Sequence, residues 1–220
     1  MAIETVSEIH SEVANIIQDS SFDINDTISY INKGLKEISG RVLLPDLLET
    51  ETTIETVVDT AYASLPDDFQ RNLHYCYSDT NSMKINIYPD VRLLYREFSR
   101  LDLTGRVVGV AVKGRSLYYQ RIPSAAETLR LHYYSSAPIL TLATESPEGL
   151  PEYLVRPLLV NYVAKEMYKL WEDGIEGQKI NTMYYEAKFL EAMSILNNDI
   201  GPEAREPQYI QDDLNLESYL

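Results

Sequence analysis

Three histidines, one cysteine and a few adjacent acids are the residues of this chain that could do chemistry, and their spacing assembles no reactive centre. His10, His74 and His132 fall on a predicted helix and two predicted strands. None is followed at ligand spacing by Cys, Asp or Glu, so no metal site is expected. Cys76, between Tyr75 and Tyr77, reads as a small buried apolar residue rather than a nucleophile, and alone it cannot form an intrachain disulfide. Gly105-Arg106-Val107-Val108-Gly109 and Lys113-Gly114-Arg115 lack the glycine spacing of a phosphate cradle, and there is no GxSxG elbow. Asp67-Asp68, Glu172-Asp173 and Asp212-Asp213 fall in turns or tails, where neighbouring acids are hydrated. The expectation is a protein without catalytic residues or cofactors.

Two patterns suited to contact remain. Arg92, Arg96 and Arg100 repeat at i, i+4 on one face of a segment whose other face carries Val91, Leu94, Tyr95, Phe98 and Leu101. Such a stripe can meet a phosphate backbone or pair with carboxylates, those of a neighbouring copy included. The 17 tyrosines outnumber the 4 phenylalanines. Tyrosine offers a rigid apolar body with a wet tip, which suits either a surface that a partner covers or a half-buried sheet face.

The elements that position these residues follow a helix, strand, helix order. Val6, Ile9, Val13 and Ile16 predict a helix over about 3–19, and Ile28, Ile31, Leu35 and Ile38, behind Asp23 as N-cap, a second over about 25–39. Their short link makes them antiparallel, and Pro45 closes the hairpin. Ile54, Thr56 and Val58 read as a strand, Leu65-Pro66-Asp67-Asp68-Phe69 as a break, and Met83, Ile85 and Ile87 as a strand ended by Pro89. The arginine segment reads as a short helix or a strand. Val108, Val110 and Val112, the turn Lys113-Gly114-Arg115-Ser116, and Leu117, Tyr119 and Arg121 form a hairpin. Leu129, Leu131 and Tyr133 mark the last strand.

Leu154, Val155, Leu158, Leu159, Tyr162, Val163, Met167, Leu170 and Trp171 trace an apolar stripe over about 152–173, which Pro157 should kink or restart and Gly174 should end. Ile180, Met183, Ala187, Leu190 and Met193 define a fourth helix over about 176–198, stopped by Gly201-Pro202. The expected class is α+β: an N-terminal helix hairpin (1–45), an antiparallel β module with a short helix (46–138), a C-terminal helix pair packing on the hairpin (139–200), and an extended arm (201–220). That arm carries two prolines and five acids. Tyr209, Ile210, Leu214, Leu216, Tyr219 and Leu220 along it make it an arm that folds against another surface or a frayed terminus.

A composition 45% hydrophobic and 24% charged excludes a mainly disordered chain and supports a full core. No apolar window reaches the ~20 residues of a membrane span, and the acidic, amphipathic N-terminus resembles neither a signal nor a transit peptide. The net charge of −15 is uneven: residues 1–60 carry −9, 61–135 carry +3, 136–200 carry −5 and 201–220 carry −4. That field argues against gripping nucleic acid through phosphates. It fits either a solvated acidic surface or copies stacked with basic middle against acidic flank.

The order of short motifs adds a resemblance. Tyr30-Ile31-Asn32 in the second helix, Leu65-Pro66-Asp67-Asp68-Phe69, Tyr133-Tyr134 with Pro138, and Leu150-Pro151 through Tyr162 occur in the sequence seen in head-to-tail adaptor (connector) proteins of tailed bacteriophages, including the adaptor or gatekeeper rings of short-tailed phages. The chain resembles them over about residues 5–198. The resemblance implies a virion structural protein in the neck, made in the host cytoplasm. It implies a homo-oligomeric ring, usually of twelve copies, beneath the portal protein, with a downstream tail or nozzle protein on the other side and DNA passing through the lumen without specific binding. Carried onto this chain, residues 201–220, with Tyr209, Ile210, Leu214, Leu216, Tyr219 and Leu220, would be the arm that grips the portal. Helices would form the ring wall, residues 50–135 would meet the next tail protein, and Arg92, Arg96 and Arg100 would sit at subunit interfaces. A stopper or nozzle subunit is the nearest alternative. A nucleic-acid-binding module using the arginine stripe is a more distant one.

Overall fold

The computed structural model describes residues 4–19, 21–98, 100–172 and 179–200. The chain opens with α1 (Val6–Ile17), started by a capping box in which the Glu8 N–H donates to Thr5 Oγ1 and the Thr5 N–H donates to Glu8 Oε2 at 2.7 Å. The next helix, α2 (Ile24–Arg41), has Asp23 as its N-cap, as its sequence leads one to expect. A 3-10 turn at Pro45–Leu47 passes the chain into β1 (Leu48–Glu55), β2 (Tyr62–Ser64), β3 (Phe69–Ser78), β4 (Met83–Lys84) and β5 (Asn86–Tyr88). Then come α3 (Val91–Glu97), β6 (Thr104–Gly105), β7 (Gly109–Lys113), β8 (Ser116–Gln120), β9 (Ile122–Pro123) and β10 (Thr128–Ser135). Two long helices, α4 (Glu152–Trp171) and α5 (Ile180–Ile200), complete the described chain. The class is α+β.

The strands form two four-stranded sheets, ordered β1-β10-β3-β4 and β2-β8-β7-β5, and a small β6-β9 pair. Along β10, Leu129, Leu131 and Tyr133 point inward and are fully buried, and they meet Leu117 and Tyr119 of β8 and Val110 of β7 in one core. The β7–β8 hairpin turns at Gly114, whose φ of +61° is the left-handed conformation such a turn requires. The expected antiparallel module is antiparallel in its long ladders, but β5–β7 and β6–β9 pair parallel. The segment around α3 is the crossover that brings β5 and β7 side by side in one direction. The first strand ends at Glu55, and Val57 and Val58 beyond it are exposed.

The helices share a separate core. Val6, Ile9 and Val13 of α1 and Ile31, Leu35 and Ile38 of α2 close on Leu154, Leu158, Leu159 and Val163 of α4. Arg156 near the start of α4 pairs with Glu4 and Glu12, and the Tyr168 hydroxyl near its end donates to the Ile16 carbonyl, so α4 runs alongside α1 in the same direction. Ring contacts of Tyr162 with Phe189 (5.3 Å) and of Tyr168 with Tyr185 (5.5 Å) make α5 antiparallel to α4. Helix α4 continues through Pro157 without the restart that was one of the two expected outcomes. The carbonyl that loses its partner belongs to Tyr153, an exposed residue, where solvent can take the place of the missing bond.

Two side chains tie irregular backbone to this frame. Asn32 of α2 clamps the connection after β10, donating to the Leu140 carbonyl and accepting from the Leu140 N–H, both at 2.9 Å. Arg71 of β3 reaches the C-terminal end of α2 and donates to the carbonyls of Ser39 (2.6 Å), Gly40 (2.9 Å) and Val42 (2.8 Å). It thereby joins the sheets to the bundle and neutralises carbonyls that the helix leaves unpaired.

Candidate functional site

The groups that could do chemistry are occupied by structure. His10 Nδ1 lies 2.8 Å from Thr27 Oγ1, and its ring stacks on Phe22. His74 and His132, distant in sequence, come within 6.2 Å on the outer side of the first sheet, with Tyr75 against His132 at 4.6 Å. Burial, reinforced by His74 and Arg130, holds the His132 pKa below its ordinary value and favours the neutral ring. Among the described residues no group of three His, Cys, Asp or Glu could hold a metal. Cys76 is fully buried, and burial pushes its thiol up to about 12, far from the thiolate a nucleophile needs.

Several carboxylates are likewise engaged. Glu127 is buried and accepts from the Val107 N–H (3.0 Å) and the Ser78 hydroxyl (3.3 Å), a cross-brace between strands. Of the acid pairs, Asp67 meets Arg115, Asp68 accepts from the Tyr133 hydroxyl (2.8 Å), and Glu172 accepts from the Thr182 hydroxyl (2.6 Å). Asp173, Asp212 and Asp213 lie outside the described residues.

The arginine stripe is only partly formed. Arg92 and Arg96 lie on α3, both exposed, and Asp90 caps the helix while standing 3.5 Å from Arg92. Helix α3 ends at Glu97, so Arg100 lies beyond it and pairs instead with Asp102 at 2.8 Å. Leu94 is the residue that fixes α3 to the sheet, while Leu101, expected on the same apolar face, is exposed. The i, i+4 spacing was present in the sequence, but a seven-residue helix cannot carry three members of it.

The largest departure from the sequence reading is at α5. Its buried residues are Phe189, Ala192, Met193 and Leu196. Of the expected inward stripe only Met193 is buried: Ile180 is 62% exposed, Met183 66% and Leu190 48%, with Ala187 also exposed. At ~100° per residue the two sets lie on opposite sides of the helix. So α5 is apolar towards the bundle and apolar away from it.

The outer set does not stop at α5. Leu170 and Trp171, expected in the core, are exposed at the end of α4, and Trp171 packs edge-on against Tyr168. Tyr168 stacks on Tyr185, which meets Tyr184 at 5.0 Å. The Glu172 carboxylate takes the N–H groups of Asn181 and Thr182, so the two helix ends are adjacent. An unbroken aromatic run therefore links Trp171 to Tyr184, the neighbour of exposed Met183 in the chain. Trp, Tyr and Met are the side chains enriched where proteins meet. The adjacent Tyr184-Tyr185 pair was the signal in the sequence: two neighbours cannot share one buried face of a helix.

The arm residues Tyr209, Ile210, Leu214, Leu216, Tyr219 and Leu220 lie outside the described residues. No helix of the described chain is long and apolar enough to cross a membrane. No curated protein matches the sequence. A family model described as SU10 adaptor protein matches residues 4–210, which takes in both cores, the α3 arginines and the two-faced α5. By that match across nearly its whole length, the chain belongs to the SU10 adaptor protein family, a family of bacteriophage adaptors.

Proposed function

We propose that this chain is a structural adaptor of the phage neck that does its work by surfaces meeting, with no catalytic step. Copies of it close into a ring, twelve in the form its resemblance implies, between the portal protein and a downstream tail or nozzle protein. The observation that carries this reading is the outer face of α5 and the end of α4. At ~200 Å² for a large side chain, the exposures of Leu170, Trp171, Ile180, Met183, Tyr184 and Leu190 leave roughly 650 Å² of apolar surface. A stable contact buries ~800 Å² per partner, and the largest patch on a solitary protein is usually ~300–600 Å². The reading gives this face to the neighbouring copy.

Charge supports the same arrangement. A closed ring needs two different faces that fit each other, and the basic segment with exposed Arg92 and Arg96, and Arg100 beside it, complements the −9 of the first 60 residues. Repeated copies of a −15 chain surround the lumen with like charge, so phosphates find little to hold and DNA passes. The arm residues Tyr209 to Leu220 then serve portal attachment.

The test is electron microscopy of the purified protein with and without portal rings. The expected result is an added ring on the portal, lost in Met183→Asp/Leu190→Asp while the circular dichroism spectrum stays unchanged. Neither joining the portal nor forming a ring would sink the reading. Removing residues 201–220 is expected to leave a folded, soluble protein that attaches weakly.

A further inference from the structure

The loop after β10 is firmly tied and yet apolar on its outside. Asn32 clamps Leu140, the Thr141 and Leu142 N–H groups donate to Glu145 Oε2 at 2.6 and 2.8 Å, and the Val6 and Ser7 N–H groups of α1 donate to the carbonyls of Glu145 and Ala143. Ile139 is nevertheless 79% exposed, more than any other large hydrophobic residue of the described chain, and Leu142 is 59% exposed. Pro138 is exposed beside them, and Leu140 is the buried anchor. An apolar side chain on fixed backbone loses little freedom when a partner covers it, which suits a contact residue.

The outer face of α5 has the shape to receive such a knob. Met183, Glu186, Ala187 and Leu190, at i, i+3, i+4 and i+7, outline the hole that takes one side chain in helix packing, and all four are exposed. Charge fits as well. Lys36, exposed one turn along α2 from Asn32, stands on the side of the loop, and Glu186 and Glu191 border the hole. Glu191 holds Lys188 at 3.1 Å, so Glu186 is the acid assigned to Lys36. The two surfaces belong to opposite sides of one chain. Residues 158–160 and 162–165 of α4 are buried in succession, so α4 is the middle of the bundle, with α1 and α2 packed on it and α5 packed on it elsewhere. The loop sits on α1 and α2, and the outer face of α5 turns away from α4. Contact through unlike faces is what closing a ring requires.

We propose that Ile139 and Leu142 of one copy pack on the outer face of α5 of the next, with Ile139 in the hole between Met183, Glu186, Ala187 and Leu190 and Lys36 beside Glu186. Resting on the ring reading, this names the surface that meets the α5 face and makes the contact head-to-tail.

Ile139→Cys and Ala187→Cys are made singly and together in the full chain, with the parent, whose one cysteine is the buried Cys76, as control. Each protein is mildly oxidised alone and with portal rings. The double variant is expected to give a ladder of disulfide-linked multimers on non-reducing denaturing gels, about tenfold more than either single variant, because only the unlike pair comes within the ~4.4–6.8 Å Cα separation of a disulfide. Ile139→Asp, altered at an exposed position, is expected to keep the parent's Tm and to weaken ring assembly about tenfold. A ring in the electron microscope without a ladder, or full assembly by Ile139→Asp, would overturn the proposal and leave the ring reading standing. Linking of Ala187→Cys to itself would also overturn it, since like faces would then meet. A ladder without any ring, alone or on the portal, keeps the contact and ends the ring reading, and the absence of both ends both.

Discussion

Replacing Arg71 by alanine removes three of the bonds between sheet and bundle, leaving that of Gln70 to the Ser39 hydroxyl, and the geometry sets how much that costs. The guanidinium gives three charge-assisted bonds to the carbonyls of Ser39, Gly40 and Val42, all within 2.9 Å. Bonds to a charged group contribute ~1.5–3 kcal/mol each, but Gly40 is exposed, so water recovers part of the loss. The charge at the end of α2 adds ~0.3–1 kcal/mol. The expected destabilisation is ~2–4 kcal/mol, short of the simple sum. Arg71→Lys keeps the charge and fewer of the donors, and should cost about half as much. With a urea slope of ~2 kcal/mol per molar, the alanine variant should unfold ~1–2 M earlier. Circular dichroism and Trp171 fluorescence follow the transition, and hydrogen exchange of the last turn of α2 locates the damage. A midpoint within ~0.3 M of the parent, with that turn unchanged, would refute the latch.

Gly34→Ala tests packing against propensity: a methyl there would stand 2.9 Å from Tyr162 Cδ1, so a loss of ~1–3 kcal/mol is expected where helix propensity alone gives a gain of ~1, and a higher Tm would contradict the packing. The Thr141 and Leu142 N–H groups hold the Glu145 carboxyl below the ordinary glutamate range. Its contribution is thus complete above that range and lost as pH falls through the lowered value. Protection against hydrogen exchange, taken as the rate relative to the intrinsic rate at each pH, should fall in acid at residues 141–145 and at the start of α1, whose Val6 N–H donates to the Glu145 carbonyl, and Glu145→Gln should show that lower protection already at neutral pH. Cys76 should resist maleimide in the native state and react only as the β module opens, because its thiol is both inaccessible and held protonated; prompt labelling of the native protein would show that the sheets do not enclose it.

Much of this architecture was legible in the sequence, because it follows from local signals. Asp23 as a cap, the apolar spacing of α1 and α2, the alternation along β10 and the Lys113-Gly114-Arg115-Ser116 turn each act over a few residues, and each appears where expected. The long strand β3 has no element of its own in the sequence reading beyond the placing of His74 on a strand, since its residues are mostly half-buried and its alternation is weak. The parallel β5–β7 pair depends on a crossover whose direction no local pattern states.

By itself, then, the sequence determined the helix, strand, helix order, the lack of spaced ligands or nucleophiles, and the uneven charge. Only the tertiary structure decided which side of α5 faces the bundle. Apolar residues ring that helix, so periodicity offers two stripes of similar strength, and the choice fell to shape: Phe189 meets Tyr162 and closes the core with Leu196, leaving Met183 and Leu190 outside. The same dependence on distant partners placed Arg71 on α2, Asn32 on Leu140, and Arg100 on Asp102 beyond the helix it was expected to extend.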